Sequence, residues 1–410
     1  MSTAPRRGAD RALVRAARLE ATGLRAPDRV GVPDVVEGLL AVQAQELQPA
    51  LWGLSRRVAP EAGPVRRDAT NRALADGELL RTHVLRPTWH LVRPADARWL
   101  LASTRPRVEK LMASTERQWR LDDLTPGVDA VAAAVADGAR TRAEIRDELL
   151  ARGVLDPGAP GLAFTNVLMH AELEQLVISG PPPADHPYQH QSYAAFDDRV
   201  PAGYGPLGER FDAEDAVVEL WRRYLPGRAF ATVNDLRLWS DVTVRDLRRA
   251  LAVLVDQGEV VEVDGAGDLE GLRLVATAAT AERWLDDDGQ RGAPAAGGSS
   301  VVDLLQAYDE LLMSYRETRH VVLDPALPPT DRAGAFVHAA AVDGVVAGRW
   351  RWPTAAPRDG VPDVEVQWSR TPAPAEEAAL ARTVEDLRDY LAGTTAATEA
   401  GPPAGHGTSA

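Results

Sequence analysis

Gln43 and Gln45, parted only by Ala44 in the run Leu39-Leu40-Ala41-Val42-Gln43-Ala44-Gln45, are the residues of this chain whose type and spacing first suggest chemistry. A carboxamide neither takes nor gives a proton near neutral pH. It can orient a water molecule and turn its carbonyl dipole toward developing positive charge. A centre built on two amides therefore suits only a bond that is already weak. Taken alone, such a pair is ordinary at a helix end, where amides cap the chain or are solvated. A second candidate is His90, in Leu85-Arg86-Pro87-Thr88-Trp89-His90-Leu91-Val92. A single histidine on a strand is more often a half-buried packing residue or a backbone partner than a reactive one.

The elements that must hold these side chains can be read locally. Pro33 and Asp34 open a segment in which Glu37 stands at capping-box spacing, and Val35, Leu39, Leu40 and Val42 form an apolar stripe. This predicts a helix over 34–44. Within a continuous helix Gln43 and Gln45 would diverge by about 200°. They could share a ligand only at a helix-to-loop corner, for which Pro49 supplies a reason by disfavouring helix at Gln48. Trp89 alternates away from His90 and is expected in the core.

Periodicity extends this to the whole chain. Helices are expected near 10–22, 34–44, 48–58 and 68–76, then strands over 79–85 and 88–92 around Arg86-Pro87. Helices followed by a hairpin make a winged helix. The pattern recurs with helices over 128–138, 141–150 and 164–173 and strands near Val177 and Tyr193; Thr141 and Glu144 again stand at capping-box spacing. It recurs once more with helices over 215–224, 233–239 and 244–257, strands over 260–263 and 272–275, and a wing tip over 265–271. A polar, glycine-rich stretch follows, and then Asp343-Gly344 between apolar runs 336–342 and 345–352, a two-residue hairpin signal. A strand over 364–369 and a helix over 375–391 complete the pattern. The expected fold class is α+β: three tandem winged-helix units (1–125, 126–205, 206–285), a linker (286–300), a small β-rich C-terminal domain (301–393) and a disordered tail (394–410).

Together with Leu51-Trp52-Gly53-Leu54, the two motifs resemble the winged-helix DNA glycosylases of the AlkZ-like family, whose best-known members unhook crosslinks made by azinomycin-type antibiotics. Ser179-Gly180 leading to Ser192-Tyr193, Asp197 and Arg199-Val200-Pro201 is similar to the family's second winged segment. Tyr308-Asp309-Glu310-Leu311-Leu312 and Val342-Asp343-Gly344 are similar to its C-terminal part, so the likeness spans residues 10 to 395. The resemblance implies that Gln43 and Gln45 are the catalytic pair. A glutamine rather than an aspartate at 45 implies the branch associated with bulky alkylpurines and crosslinks. Pro87 and Trp89 depart from the Gly-Thr-Leu/Ile-His form of many relatives.

That implication agrees with amide chemistry. An N7-alkylated purine carries a formal positive charge and leaves without a general acid. The expected function is a monofunctional glycosylase that releases bulky N7-alkylated purines, crosslinks included, in DNA repair or antibiotic self-resistance. His90 would contact the lesion or a phosphate, and Arg56, Arg57, Arg86 and Arg93 would contact DNA. The rival is a non-catalytic winged-helix transcription regulator, since a fold does not dictate a function; three units in one chain favour a monomer that wraps double-stranded DNA.

Composition narrows the classes further. The 410 residues contain no cysteine, which excludes disulfides, thiolate catalysis and iron-sulfur sites. No cofactor and no metal are expected; Pro187 interrupts the helix that His186 and His190 would need as ligands. Asp309-Glu310 point apart on a helix and are expected at a surface or between domains. No apolar stretch suits a signal peptide or a membrane span, so a cytoplasmic, nucleoid-associated protein is expected. The net charge is −14, yet residues 1–120 hold 21 Lys+Arg against 13 Asp+Glu and the remainder 25 against 47. The basic part carries the motifs, which suggests a DNA-facing surface. Lys110 is the only lysine and lies outside both motifs, a poor candidate for the Schiff base that strand-cutting glycosylases form.

Overall fold

In the computed structural model, residues 8–119, 121, 123–185, 188, 191–202, 209–210, 212–285, 300–324, 337–353 and 364–392 are described. Several helices begin where a short polar side chain can take an unpaired N–H. Asp10 caps α1 (Arg11–Ala21), Asp212 caps α10 (Ala213–Tyr224) and Thr243 caps α12 (Val244–Asp256). Thr141 and Glu144 form a reciprocal capping box on α7 (Arg142–Ala151), as do Thr232 and Asp235 on α11 (Val233–Ser240).

Three helical groups each end in a small antiparallel sheet. The first contains α2 (Val32–Leu39), β1 (Ala41–Gln43), α3 (Leu47–Ser55), α4 (Arg67–Ala75), β2 (Leu80–His83) and β3 (Trp89–Val92), with sheet order β1-β3-β2. The 26-residue α5 (Pro94–Trp119) follows and was not anticipated, although Pro94 and Asp96 are suitable first-turn residues. The second group has α6 (Thr125–Ala134), β4 (Arg140–Thr141), α7, α8 (Gly161–Leu173), β5 (Val177–Ser179), β6 (Ser192–Ala195) and α9 (Phe196–Arg199), with order β4-β6-β5. The third joins α10, α11 and α12 to the hairpin β7 (Val260–Asp264) and β8 (Arg273–Thr277), then α13 (Ala278–Leu285).

A four-stranded antiparallel sheet, β12-β11-β10-β9, closes the chain. It is formed by β9 (Val302–Leu305), β10 (Ala339–Val342), β11 (Val345–Trp350) and β12 (Val366–Trp368), with α14 (Glu310–Met313) between β9 and β10 and α15 (Pro374–Leu391) at the end. Asp343 and Gly344 turn β10 into β11 at φ 48° and 78°. The anticipated linker, apart from Ser300, and the tail from residue 394 lie outside the described residues, as do His186 and His190.

The apolar cores cross the anticipated boundaries. One runs from Leu40, Val84 and Trp99 through Met169 and Ile178 to Trp221, Trp239 and Leu254. Another joins Leu13 and Ala17 of α1 to Leu274, Trp284, Leu311 and Ala339. The C-terminal sheet therefore lies against the first group, with Trp52 of α3 donating to Leu304 O at 3.1 Å.

Ion pairs also cross these boundaries. Arginines of the N-terminal third pair with acids from later in the chain: Arg11 with Asp268, Arg25 with Asp303, Arg56 with Asp386, Arg57 with Asp309, Arg98 with Asp197 and Arg105 with Glu174. In the other direction Glu20 pairs with Arg283 and Asp96 with Arg223, so part of the linear asymmetry is neutralised between segments of one chain.

Candidate active site

The helix carrying the amides ends earlier than its stripe suggests. Helix α2 stops at Leu39, and Leu40 turns the chain at φ 62°, an uncommon value for leucine that costs about 1–3 kcal/mol. Arg228 caps that end: Nη1 donates to Leu39 O at 2.5 Å, the kind of cation that suits the last carbonyls of a helix. The chain then pairs with β3 in the register Ala41↔Val92, Val42↔Leu91, Gln43↔His90, and Ala44 N–H still donates to Trp89 O at 2.8 Å. The expected corner is thereby replaced by a strand. Gln43 is the last residue of that strand, and Gln45 lies two residues on, in the bend that follows it.

The backbone of Gln43 is held from the C-terminal part of the chain. Its N–H donates to Glu310 Oε1 at 3.0 Å, and its carbonyl accepts from Gln306 Nε2 at 2.8 Å. Glu310 Oε2 accepts from Arg228 Nη2 (2.8 Å), Trp239 Nε1 (2.9 Å) and Ser314 Oγ (2.6 Å). Burial alone would raise the pKa of this carboxyl. The Arg228 charge and the Ser314 and Gln43 hydrogen bonds outweigh it and hold the group below its ordinary value. Asp309 beside it caps α14 and accepts from Arg57 Nη2 at 2.7 Å. Both acids lie between segments and are buried. The sequence signal for Glu310 was present in Tyr308–Leu312, but nothing local linked it to Gln43.

The two amide oxygens are held from the β2–β3 connection. Gln43 Oε1 accepts from Arg86 Nη2 at 2.6 Å, and Gln45 Oε1 from Trp89 N–H at 3.3 Å. Gln45 thereby replaces the ladder partner of Trp89, because Ala44 O is taken by Arg81 Nε at 3.0 Å. Leu85 starts the segment at φ 67°, a second buried leucine in a disfavoured conformation beside a site residue. Trp89 is half-buried rather than a core residue. Its ring lies 4.3 Å from the Arg81 guanidinium and 4.6 Å from the His83 ring.

His90 is fully buried behind Gln43, on the same row of the sheet as Thr82. Its Nδ1 lies 2.9 Å from Thr88 O, which makes that nitrogen the donor and leaves Nε2 as an acceptor without a partner. Burial, with the nearby Arg86 charge, pulls its pKa down to about 3. The ring is therefore neutral at pH 7. Because the folded value lies below the ordinary 6.5, the stability tied to neutral His90 is fully present above pH 6.5 and drains as pH falls toward 3. Unfolding of the wild-type protein should lose up to ~1.4 kcal/mol per pH unit from this group across that window. In His90→Gln the slope of stability against pH, from denaturant titrations, should be smaller by that amount; an unchanged slope would show that His90 keeps an ordinary pKa.

A family model for AlkZ-like DNA glycosylases matches residues 36–390. The chain belongs to that family. An interstrand DNA cross-link repair glycosylase of Streptomyces sahachiroi is 28% identical to this AlkZ-like glycosylase, over 77% of this chain and 81% of its own. The solved structure of Streptomyces sahachiroi DNA glycosylase AlkZ shares its fold, with a TM-score of 0.70 at 23% identity, covering 94% of this chain and 99% of the other. Membership makes this protein a hydrolase of N-glycosyl bonds with DNA as its partner.

Within this AlkZ-like glycosylase, only Gln43, Gln45, Arg86 and His90 of the expected site residues come together. Arg57 is a correction: its Nε, Nη1 and Nη2 donate to Thr22 O, Gly53 O and Asp309, and its burial keeps the guanidinium from a phosphate. Arg56 stays partly exposed at the end of α3, paired with Asp386 at 2.6 Å. Arg93 follows β3 and donates to Glu78 O at 2.7 Å. Lys110 is exposed on α5, away from the amides in sequence. Among the described residues no cluster of His, Asp or Glu is arranged to hold a metal ion, and no helix is long and apolar enough to cross a membrane.

Proposed function

We propose that this protein is a monomeric, monofunctional DNA glycosylase that hydrolyses the N-glycosidic bond of bulky N7-alkylated purines, interstrand crosslinks included. The three helical groups with their small sheets are its winged-helix units, and the C-terminal sheet is a fourth domain that braces the first. One observation carries this reading: Gln43 lies across the sheet from a neutral, buried His90 and Gln45 Oε1 is bonded to the neighbouring Trp89 N–H, so the residues assembled there supply orientation and dipoles but no proton donor. Such a centre fits a leaving group that is already cationic. The bond from C1′ to N9 breaks, its electron pair neutralises the purinium, and a water held by the amides adds to C1′ and gives its proton to solvent.

Arg86 links binding to this step. In the free protein its guanidinium occupies Gln43 Oε1. A DNA phosphate competes for that guanidinium and releases a lone pair of the amide toward the sugar or its water. His90 contributes through Nε2 from behind the pair, not by touching the duplex, because its side chain is enclosed. The relative named for crosslink repair supports crosslinks as substrates of this site.

The test is incubation of the protein with duplex DNA bearing a defined N7-alkylguanine, followed by mild alkali and a denaturing gel. Breaks at the lesion should appear only after alkali, and uracil should remain in place. Scission without alkali that is lost on changing Lys110 would refute the monofunctional assignment. Tight binding without any base release would leave the DNA-binding regulator as the better reading.

A further inference from the structure

Glu46 stands immediately after the glutamine pair and has no part in the reaction described above. It shares the bend with Gln45 and occupies the N-cap of α3, yet its side chain caps no helix N–H. The carboxylate turns instead to the C-terminal part of the chain, where Oε2 lies 3.2 Å from His338 Nε2. About half of the Glu46 side chain stays exposed, and it lines the same cleft as Gln45. An accessible carboxylate thus borders the amide.

The charge of this couple follows from its hydrogen bonds. Ala307 N–H donates to His338 Nδ1 at 3.1 Å, so that nitrogen is an acceptor and the ring proton lies on Nε2, where it is donated to Glu46. In this tautomer the imidazole is uncharged, and the couple carries the full negative charge of the carboxylate. The His338 hydrogen bond holds the Glu46 carboxyl below its ordinary value although burial opposes it, and the N-terminus of α3 also favours an anion. No arginine pairs with Glu46 among the described residues. Of those on the cleft, Arg81 donates to Ala44 O, Gln45 O and Gln191 Oε1, and Arg142 to Thr165 Oγ1. Asp185 and Tyr188 border the same space and Tyr308 lies near Glu46, and none of them is a cation.

The groups that hold Glu46 and Gln43 are neighbours. Gln306, which donates to Gln43 O, precedes Ala307, which fixes His338, and the His338 ring packs 5.3 Å from that of Trp350. One short segment after β9 therefore braces an amide and a carboxylate three residues apart.

We propose that Glu46 is a third catalytic residue, a fixed anion that faces the sugar as it becomes cationic and takes a proton from the attacking water. The inference deepens the glycosylase reading and rests on it, with Gln43 and Gln45 as the pair beside Glu46. The C1′–N9 bond breaks with both electrons going to the purinium, the water oxygen bonds to C1′, and one water proton passes to Glu46 Oε1 and then to solvent. Two neutral amides supply only dipoles; a full charge beside them adds what they lack. An ionised carboxylate donates no proton, so the demand for a leaving group that is already cationic is unchanged.

Single-turnover release at saturating enzyme and near-neutral pH, from a duplex with one N7-methylguanine, tests this. Glu46→Gln keeps the length and an oxygen for His338 but removes the charge. His338→Phe keeps a ring on Trp350 and the charge on Glu46 but breaks the tether. Glu46→Gln should be slower than wild type by about tenfold or more, and slower than His338→Phe, while binding the duplex no more weakly, since it has lost an anion. A loss below about tenfold in Glu46→Gln, or one no larger than in His338→Phe, overturns the proposal and leaves Glu46 a strut between α3 and the C-terminal sheet. Gln45→Ala on the same duplex reads the pair separately. A slow Gln45→Ala beside a normal Glu46→Gln ends this inference alone, whereas no release by the wild-type protein ends the glycosylase reading.

Discussion

Gln43→Ala and Gln45→Ala should each slow base release from an N7-alkylguanine duplex by about 10²–10³-fold, the usual cost of removing one preorganised dipole from a transition state. The loss should fall on the single-turnover rate, with the melting temperature close to that of the wild type. The structure gives a reason for separating the two. The anchor of β1 runs through backbone atoms, Gln43 N–H to Glu310 and Gln43 O to Gln306, and neither bond needs the side chain. What the substitution removes is the amide that faces Arg86. If both glutamines hold one water, the double variant should be little slower than the worse single, because groups acting as a unit are not additive. Release that changes less than threefold in both single variants would sink the assignment of the pair. Two multiplying losses would show that each amide acts alone.

How much of this could be read beforehand depends on where the deciding partner lies. Thr141 with Glu144, or Asp343 with Gly344, settle their structure within four residues, and the sequence pattern found them. The end of α2 is different. Its stripe continues to Val42, and Pro49 is a plausible terminator, but the helix stops at Leu39, where Arg228 from 189 residues away takes the carbonyl. No local signal carries that. The same distance hid Glu310, whose neighbours suggested only a surface or interdomain role, and hid the pairing of N-terminal arginines with acids such as Asp268, Asp303 and Asp386. Linear charge could not tell Arg57, buried against Asp309, from Arg86, which reaches Gln43. The amides themselves were legible, yet the strand that carries Gln43 was not, since its register is set by β3.

Glu310→Ala should destabilise the protein by about 3–5 kcal/mol, a large share of the roughly 5–15 kcal/mol that a typical domain has to lose. Arg228 would be left charged and enclosed, and Trp239 Nε1, Ser314 Oγ and Gln43 N–H would each lose an acceptor. The origin of the cost can be separated from the cavity. If it lies in the abandoned charge, Arg228→Met combined with Glu310→Met should be less destabilised than Glu310→Ala, because removing both members of a buried pair leaves no lone ion. That double variant also discriminates the role of Glu310 in positioning. It no longer holds Leu39 O or Gln43 N–H, so Leu40 can relax from its strained φ and β1 can drift from its register. A folded Arg228→Met/Glu310→Met protein should therefore release base at least tenfold more slowly than wild type at saturating enzyme, with DNA affinity little changed. Denaturant titration and single-turnover release on the same preparations decide the matter. A double variant as fast as wild type would mean that Gln43 keeps its place without the pair, and that the strain at Leu40 is held by packing alone.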